Sequence, residues 1–132
     1  MQLADGFRAE WRSVVEQLSQ LELLVTEEAS SGTLRRAVTA MRGSIEAHAE
    51  EGERLFRERD PAAGDDEPTL AELKADHGRI GLLLREIERA QGLHLRNLCR
   101  TLVGLLRHHL AEEERLLLPL PDGALAEPLP AT

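Results

Sequence analysis

The stretch HLAEEERLLLP, residues 109–119, contains the pattern that decides the fold. His109 and Glu113 lie four residues apart, so on a helix they project from the same face. Both continue an apolar stripe that runs through the preceding residues and stops at a proline. A carboxylate on an inward stripe needs a partner, because an unpaired buried carboxylate is costly. The stretch therefore predicts an amphipathic helix that carries polar groups into a core.

Three further segments carry a stripe of the same kind, with a core position every three or four residues, which is typical of amphipathic helices. Leucine dominates the chain and aromatic residues make up only 2% of it, a composition that favours helix over sheet. We predict an all-α fold, an up-down-up-down antiparallel four-helix bundle. The stripes are Leu3, Phe7, Trp11, Val14, Leu18, Leu21 and Val25; Leu34, Val38, Met41, Ile45, His48, Gly52 and Leu55; Leu70, Leu73, His77, Ile80, Leu84 and Ile87; and Leu95, Leu98, Leu102, Leu105, His109, Glu113 and Leu116.

Turn signals separate the four predicted helices. The sequence SSGT at residues 30–33 is predicted to break the first helix from the second, and DPAAGDDEP at residues 60–68 the second from the third. Thr69 and Glu72 form a capping-box pattern that predicts the start of the third helix. Gly92 suits the left-handed position at the end of that helix.

Composition and charge narrow the classes of function. We predict one domain, with the bundle in residues 1–120 and a flexible proline-rich tail in residues 121–132. The formal net charge of −8 argues against nucleic acid and anionic membranes as partners. The single cysteine, Cys99, forms no intrachain disulfide and is expected in the core. A cytoplasmic location is expected, since the first residues lack the basic and apolar regions of a signal peptide.

Four stripe positions fall at one height in the predicted bundle. Trp11 and His77 lie about eight residues into helices that run in one direction. His48 and His109 lie about ten residues before the ends of helices that run in the other direction, and Glu113 follows one turn later. Three imidazoles and one carboxylate are suitable ligands for iron, manganese or zinc. The candidate metal ligands are therefore His48, His77, His109 and Glu113.

The chain resembles the hemerythrin-like, or HHE cation-binding, family over roughly residues 3–120. His77 looks like the histidine of the family's third helix, and His109 with Glu113 looks like the histidine and carboxylate of its fourth helix. The resemblance implies a four-helix bundle around a di-iron centre. It also implies a role in the handling of oxygen, nitric oxide or iron.

Two positions depart from the family pattern. Trp11 stands where the family has its first-helix histidine, and Gly52 where it has its second-helix carboxylate. Another register of the second helix would pair Ala47 with Glu51 and lose the histidine instead, but the shared stripe favours His48. Because tryptophan is large and glycine has no side chain, the indole is predicted to fill the room at Gly52. A reduced site, holding one metal ion rather than two, is therefore predicted.

Two hypotheses about function remain open from the sequence. The first is a metal-binding domain whose partner is one ion of iron, or of another divalent metal such as zinc or manganese. The second is a metal-free bundle that acts as a protein-interaction module or forms a homodimer. Ser44 and His48 pair a nucleophile with a base at helical spacing, but they lack an orienting carboxylate and an oxyanion hole, so an enzyme is not predicted.

Overall fold

The computed structural model describes residues 3–62, 64 and 67–116, and within them it contains four helices and no strand. The helices are α1 (Leu3–Thr26), α2 (Ser31–Arg59), α3 (Pro68–Arg89) and α4 (Gly92–Leu116). The predicted all-α four-helix bundle is confirmed. The proline-rich tail predicted for residues 121–132 lies outside the described residues. No helix in the described ranges is long and apolar enough to cross a bilayer.

The helices follow one another around the bundle, and α1 closes the ring against α4. The backbones of α2 and α4 also approach each other across the centre, whereas those of α1 and α3 do not. The α2–α4 diagonal is therefore the short one. This packing brings inward side chains from the second and fourth helices into direct contact.

The second helix buries the seven residues that its stripe predicted, from Leu34 to Leu55. The fourth helix differs from its predicted stripe, because Cys99 and Leu106 are buried while Leu98 and Leu105 are only partly buried. A helix has 3.6 residues per turn, so a stripe chosen by steps of three and four can drift around the axis. The burial of Cys99 agrees with its predicted place in the core.

Two of the predicted helix starts are wrong. Ser30 caps α2, and its side chain accepts a hydrogen bond from the Thr33 backbone N–H at 3.2 Å. The residues after Ser30 therefore form the first helical turn instead of a break. The third helix starts at Pro68 with Glu67 as its N-cap, two residues before the cap predicted at Thr69, and the Glu67 side chain accepts from the Leu70 N–H at 2.9 Å. Proline suits the first helical position because it lacks an N–H.

Gly92 adopts the predicted left-handed conformation, with φ of 60°, but it begins α4. The third helix ends earlier, at Arg89, with Ala90 as its cap. The Gly92 N–H donates to the Ser31 hydroxyl at 2.9 Å, and the Arg35 guanidinium donates to the Ala90 carbonyl. These contacts fix the α3–α4 turn against the start of α2.

Candidate metal centre

A group of polar side chains lies in the core, on the side of the bundle formed by α2, α3 and α4. In the described residues the buried polar and charged side chains are His48, Asp76, His109 and Glu113. Glu113 is fully buried at 0% exposure, which for a carboxylate requires strong compensation. Half-buried His77 and Glu53 complete the group.

Three of the four predicted ligands converge on one point. His77 Nε2 lies 3.0 Å from His109 Nε2, and His109 Nε2 lies 3.3 Å from Glu113 Oε2. One potential ligand atom from each of these three residues lies within 4.8 Å of the other two. Glu113 Oε2 forms no hydrogen bond within the described residues, so the contact with His109 is close without being aligned as a hydrogen bond. A buried oxygen in this position is free to bind a cation.

Each of the two imidazoles, His77 and His109, has a carboxylate at its Nδ1 atom, on the other side of the ring from its Nε2. Glu53 accepts a hydrogen bond from His77 Nδ1 at 2.7 Å, and Asp76 accepts one from His109 Nδ1 at 3.2 Å. The second oxygen of Asp76 pairs with Arg79. With the hydrogen placed on each Nδ1, the Nε2 lone pairs of the two rings face each other. This tautomer and its carboxylate support are what metal-ligating histidines show.

The donor set fits a cation. Two lone pairs 3.0 Å apart repel each other unless a proton or a cation lies between them. Zinc binds histidine nitrogen at about 2.0–2.1 Å, so two nitrogens at this separation are able to share one ion. Glu113 would supply negative charge next to them.

His48 lies beside the three converging residues His77, His109 and Glu113 and is not one of them. Its Nε2 is hydrogen-bonded to Glu113 Oε1, the oxygen that faces away from His109. Its ring stacks on Phe7, with centroids 4.7 Å apart and planes inclined by 23°. Its Nδ1 is buried and has no hydrogen-bond partner among the described residues. In this arrangement His48 positions Glu113.

The second helix has the register that the sequence favoured, in which the face that carries His48 lies in the core. His48 and Gly52 are both buried, whereas Ala47 and Glu51 are half-buried and Glu51 pairs with Arg54. Gly52, one turn after His48, brings no side chain to the site. The alternative register would place Glu51 in the core, and its ion pair keeps it near the surface instead.

Trp11 is hydrogen-bonded to the fourth helix. Its indole N–H donates to the Leu110 carbonyl at 3.3 Å, and the ring packs against both hydrophobic clusters of the core. The aromatic ring of α1 that stacks on a site histidine is that of Phe7. The idea that the indole fills the room at Gly52 stays a prediction.

The pKa values of the two central histidines are shifted in opposite directions. Burial lowers the pKa of His77, and its hydrogen bond to Glu53 opposes this only in part. Burial also acts to lower the pKa of His109, but Glu113 and Asp76 together outweigh it and the pKa is raised. Burial acts to raise the pKa of Glu113, but His109 and His48 outweigh it and the pKa is lowered. Glu113 is thus held as an anion in the core, where it is able to balance a positive charge.

Asp76 and Glu53 were not predicted from the sequence as residues of the site. A signal for Asp76 was present, because it lies three residues after Leu73 and four before Ile80, both of which are core positions. The adjacent His77 was assigned to that stripe instead. In the structure Asp76 is buried and His77 reaches the site from the edge of the same face.

A four-helix bundle whose core presents two imidazoles and a carboxylate at one point belongs to the class of bundles able to hold a cation between their helices. The family model of the hemerythrin HHE cation binding domain matches residues 3–120. The chain belongs to this family. Comparison with curated proteins and with solved structures gave no match.

Proposed function

We propose that the chain binds one divalent cation through His77 Nε2, His109 Nε2 and Glu113 Oε2. The observation that carries the proposal is the convergence of these three atoms, with a carboxylate behind each imidazole. His48, the fourth predicted ligand, contributes by holding Glu113. When bound, the ion would supply Lewis-acid chemistry, or redox chemistry if it is iron.

A single ion is proposed because the described residues contain one group of ligands that meets the distance requirement, and not two. Trp11 and Gly52, at the two departures from the family pattern, offer no donor suited to a metal. Within the described residues, one group of histidine and carboxylate side chains meets the distance requirement for a metal. Iron is the first metal to test, with zinc and manganese next, since nitrogen and oxygen ligands suit all three. The cytoplasm is the proposed compartment.

Metal analysis of protein purified without chelator, then reconstituted with ferrous, zinc or manganese ions, tests this proposal. We expect about one ion per chain. His109→Ala and Glu113→Gln should each reduce binding to near zero while the helical circular dichroism signal is retained. His108→Ala is the matched control, because His108 is the exposed neighbour of His109 and should bind metal normally.

Two bound ions per chain would overturn the single-ion proposal. Failure of the wild type to bind any of the three metals would overturn metal binding itself. It would favour the second candidate, a metal-free interaction module. That candidate is supported by the His77–His109 contact, which a shared proton also satisfies, and by the exposed side chains Leu23, Leu82 and Leu93. Light scattering would then be expected to show a dimer.

A further inference from the structure

An apolar cavity adjoins the histidines and opens between α2 and α3. Its volume is about 130 Å³. A cavity of ~150 Å³ lined by leucine, isoleucine and phenylalanine stays dry and binds benzene, so this one has room for about five or six carbon atoms. His48, His77 and His109 form its inner end. Its apolar walls are Val14, Ile45, Ile80, Leu84, Leu106 and Leu110.

One face of α3 borders the cavity from its inner end to its mouth. His77, Gly81 and Arg85 follow at intervals of four residues and all border the cavity. A Cβ atom added at Gly81 would have no neighbour within 4 Å. The absence of a side chain at Gly81 therefore leaves part of this space open, and a large side chain there would have room to fill it.

Charged side chains border the mouth of the cavity. Its solvent-exposed lining residues are Glu46 and Arg85, and Arg42 beside them is half-buried. Arg42 is engaged by Glu46 at 3.0 Å and by Glu88. Arg85 has no hydrogen bond or ion pair within the described part of the chain. A free guanidinium beside an apolar cavity is suited to a carboxylate, which it is able to bind through two parallel hydrogen bonds.

We propose that this cavity binds a monocarboxylate with an unbranched apolar tail of about five or six carbons. The tail lies between the apolar walls, and the carboxylate binds Arg85 at the mouth. This inference does not depend on the proposed cation, because the carboxylate is recognised at the surface end of the cavity and not at the histidines.

Calorimetric titration of chelator-treated, metal-free protein with hexanoate tests the proposal. We expect saturable binding that weakens about fourfold for each methylene removed in pentanoate and butanoate, since burial of one methylene contributes ~0.8 kcal/mol. Acetate and hexylammonium should show no measurable binding. Hexan-1-ol, which keeps the tail without the charge, should bind at least fivefold more weakly than hexanoate.

Two variants with matched controls separate the roles of the head group and the tail. Arg85→Gln should weaken hexanoate binding at least fivefold, while Arg89→Gln, at an exposed position one turn further along α3, should leave it unchanged. Gly81→Leu should abolish binding by filling the cavity. Gly104→Leu adds the same side chain at an exposed helical glycine away from the cavity and should bind as the wild type does.

Specific results would overturn the inference. Equal affinity for hexan-1-ol and hexanoate, or an unaffected Arg85→Gln variant, would remove Arg85 from the site. Unchanged binding to folded Gly81→Leu would place the ligand elsewhere. Binding that appears only after metal is added would put the carboxylate at the histidines. Absence of metal binding alone would contradict the proposed function and leave this inference standing.

Discussion

At the scale of single residues, two histidines in contact differ in the direction of their pKa shifts because their neighbours and their burial differ. His109 is 2% exposed and faces two carboxylates, Glu113 and Asp76, whose charges raise its pKa against the effect of burial. His77 has one close carboxylate, Glu53, and burial dominates, so its pKa is lowered. In the metal-free protein a proton in this group therefore belongs with His109. A cation would have to displace that proton.

The Asp76 carboxylate is expected to tune the affinity of the site without touching the ion. Asp76→Asn should weaken metal binding about 10–100-fold, because carboxylates behind ligating histidines orient the ring and raise its basicity. Glu72→Gln, an exposed change on the same helix, is the control and should leave affinity unchanged. Competition with a chromophoric chelator measures both. Equal affinities for the two variants would contradict the role of Asp76.

The stability of the metal-free protein should depend on pH through His109 and Glu113. The raised pKa of His109 gives stability that is full below its ordinary value of 6.5 and is lost as pH rises through the raised value. The lowered pKa of Glu113 gives stability that is full above its ordinary value of 4.5 and is lost as pH falls through the lowered value. The difference in unfolding free energy between wild type and Glu113→Gln should therefore be largest between pH 4.5 and 6.5.

Urea unfolding across a pH series measures that difference. The contribution of His77 to the unfolding free energy has a pH dependence opposite to that of His109. The lowered pKa of His77 favours the folded state above pH 6.5 and disfavours it as pH falls. Because His77 is present in both the wild type and the Glu113→Gln variant, its contribution to the difference in unfolding free energy cancels to first order. Metal affinity should decrease as pH decreases, because a bound metal ion needs deprotonated imidazoles. Since the pKa of His109 is raised, this decrease should begin at a pH above 6.5. A flat difference across the range would contradict the His109–Glu113 coupling.

At the scale of helices, the sequence predicted their number and order well, and their ends less well. The seven-residue core stripe of α2 was predicted in full. The boundary errors came from competing local signals. Thr69 and Glu72 match a capping box, but Glu67 and Pro68 start the helix two residues earlier than that box requires. Such competition is settled by the packing of the whole helix, which the local pattern does not contain.

Two glycines in helix α4 should respond oppositely to alanine. Gly92 has φ of 60°, a conformation that costs a residue with a side chain about 1–2 kcal/mol, so Gly92→Ala should destabilise the fold by roughly that amount. Gly104 is exposed inside the helix, where a Cβ meets nothing within 4 Å, so Gly104→Ala should stabilise it by about 0.5–1 kcal/mol. Urea midpoints at constant slope report both changes. A stabilising Gly92→Ala would contradict the left-handed turn.

At the scale of the whole molecule, the family resemblance and the common height of the polar residues predicted where the candidate site lies. They could not predict its internal arrangement. The hydrogen bond between His48 and Glu113 depends on the short α2–α4 diagonal, and the stacking of Phe7 on His48 depends on ring orientation. Neither quantity is contained in the spacing of residues along a helix. For the same reason the sequence did not show that Trp11 would bond to the Leu110 carbonyl.

Trp11 packs against both hydrophobic clusters, and its substitution should therefore affect the entire bundle. Trp11→Phe keeps most of the packing and loses the N–H donor to Leu110, at an expected cost of about 1 kcal/mol. Trp11→Ala also loses the ring, and we expect about 3 kcal/mol, the low end for such a truncation, because Trp11 is only partly buried. Urea unfolding followed by circular dichroism measures both costs, since each variant lacks the chain's single tryptophan. A cost below about 1 kcal/mol for Trp11→Ala would mean that the two clusters are stable without the indole between them.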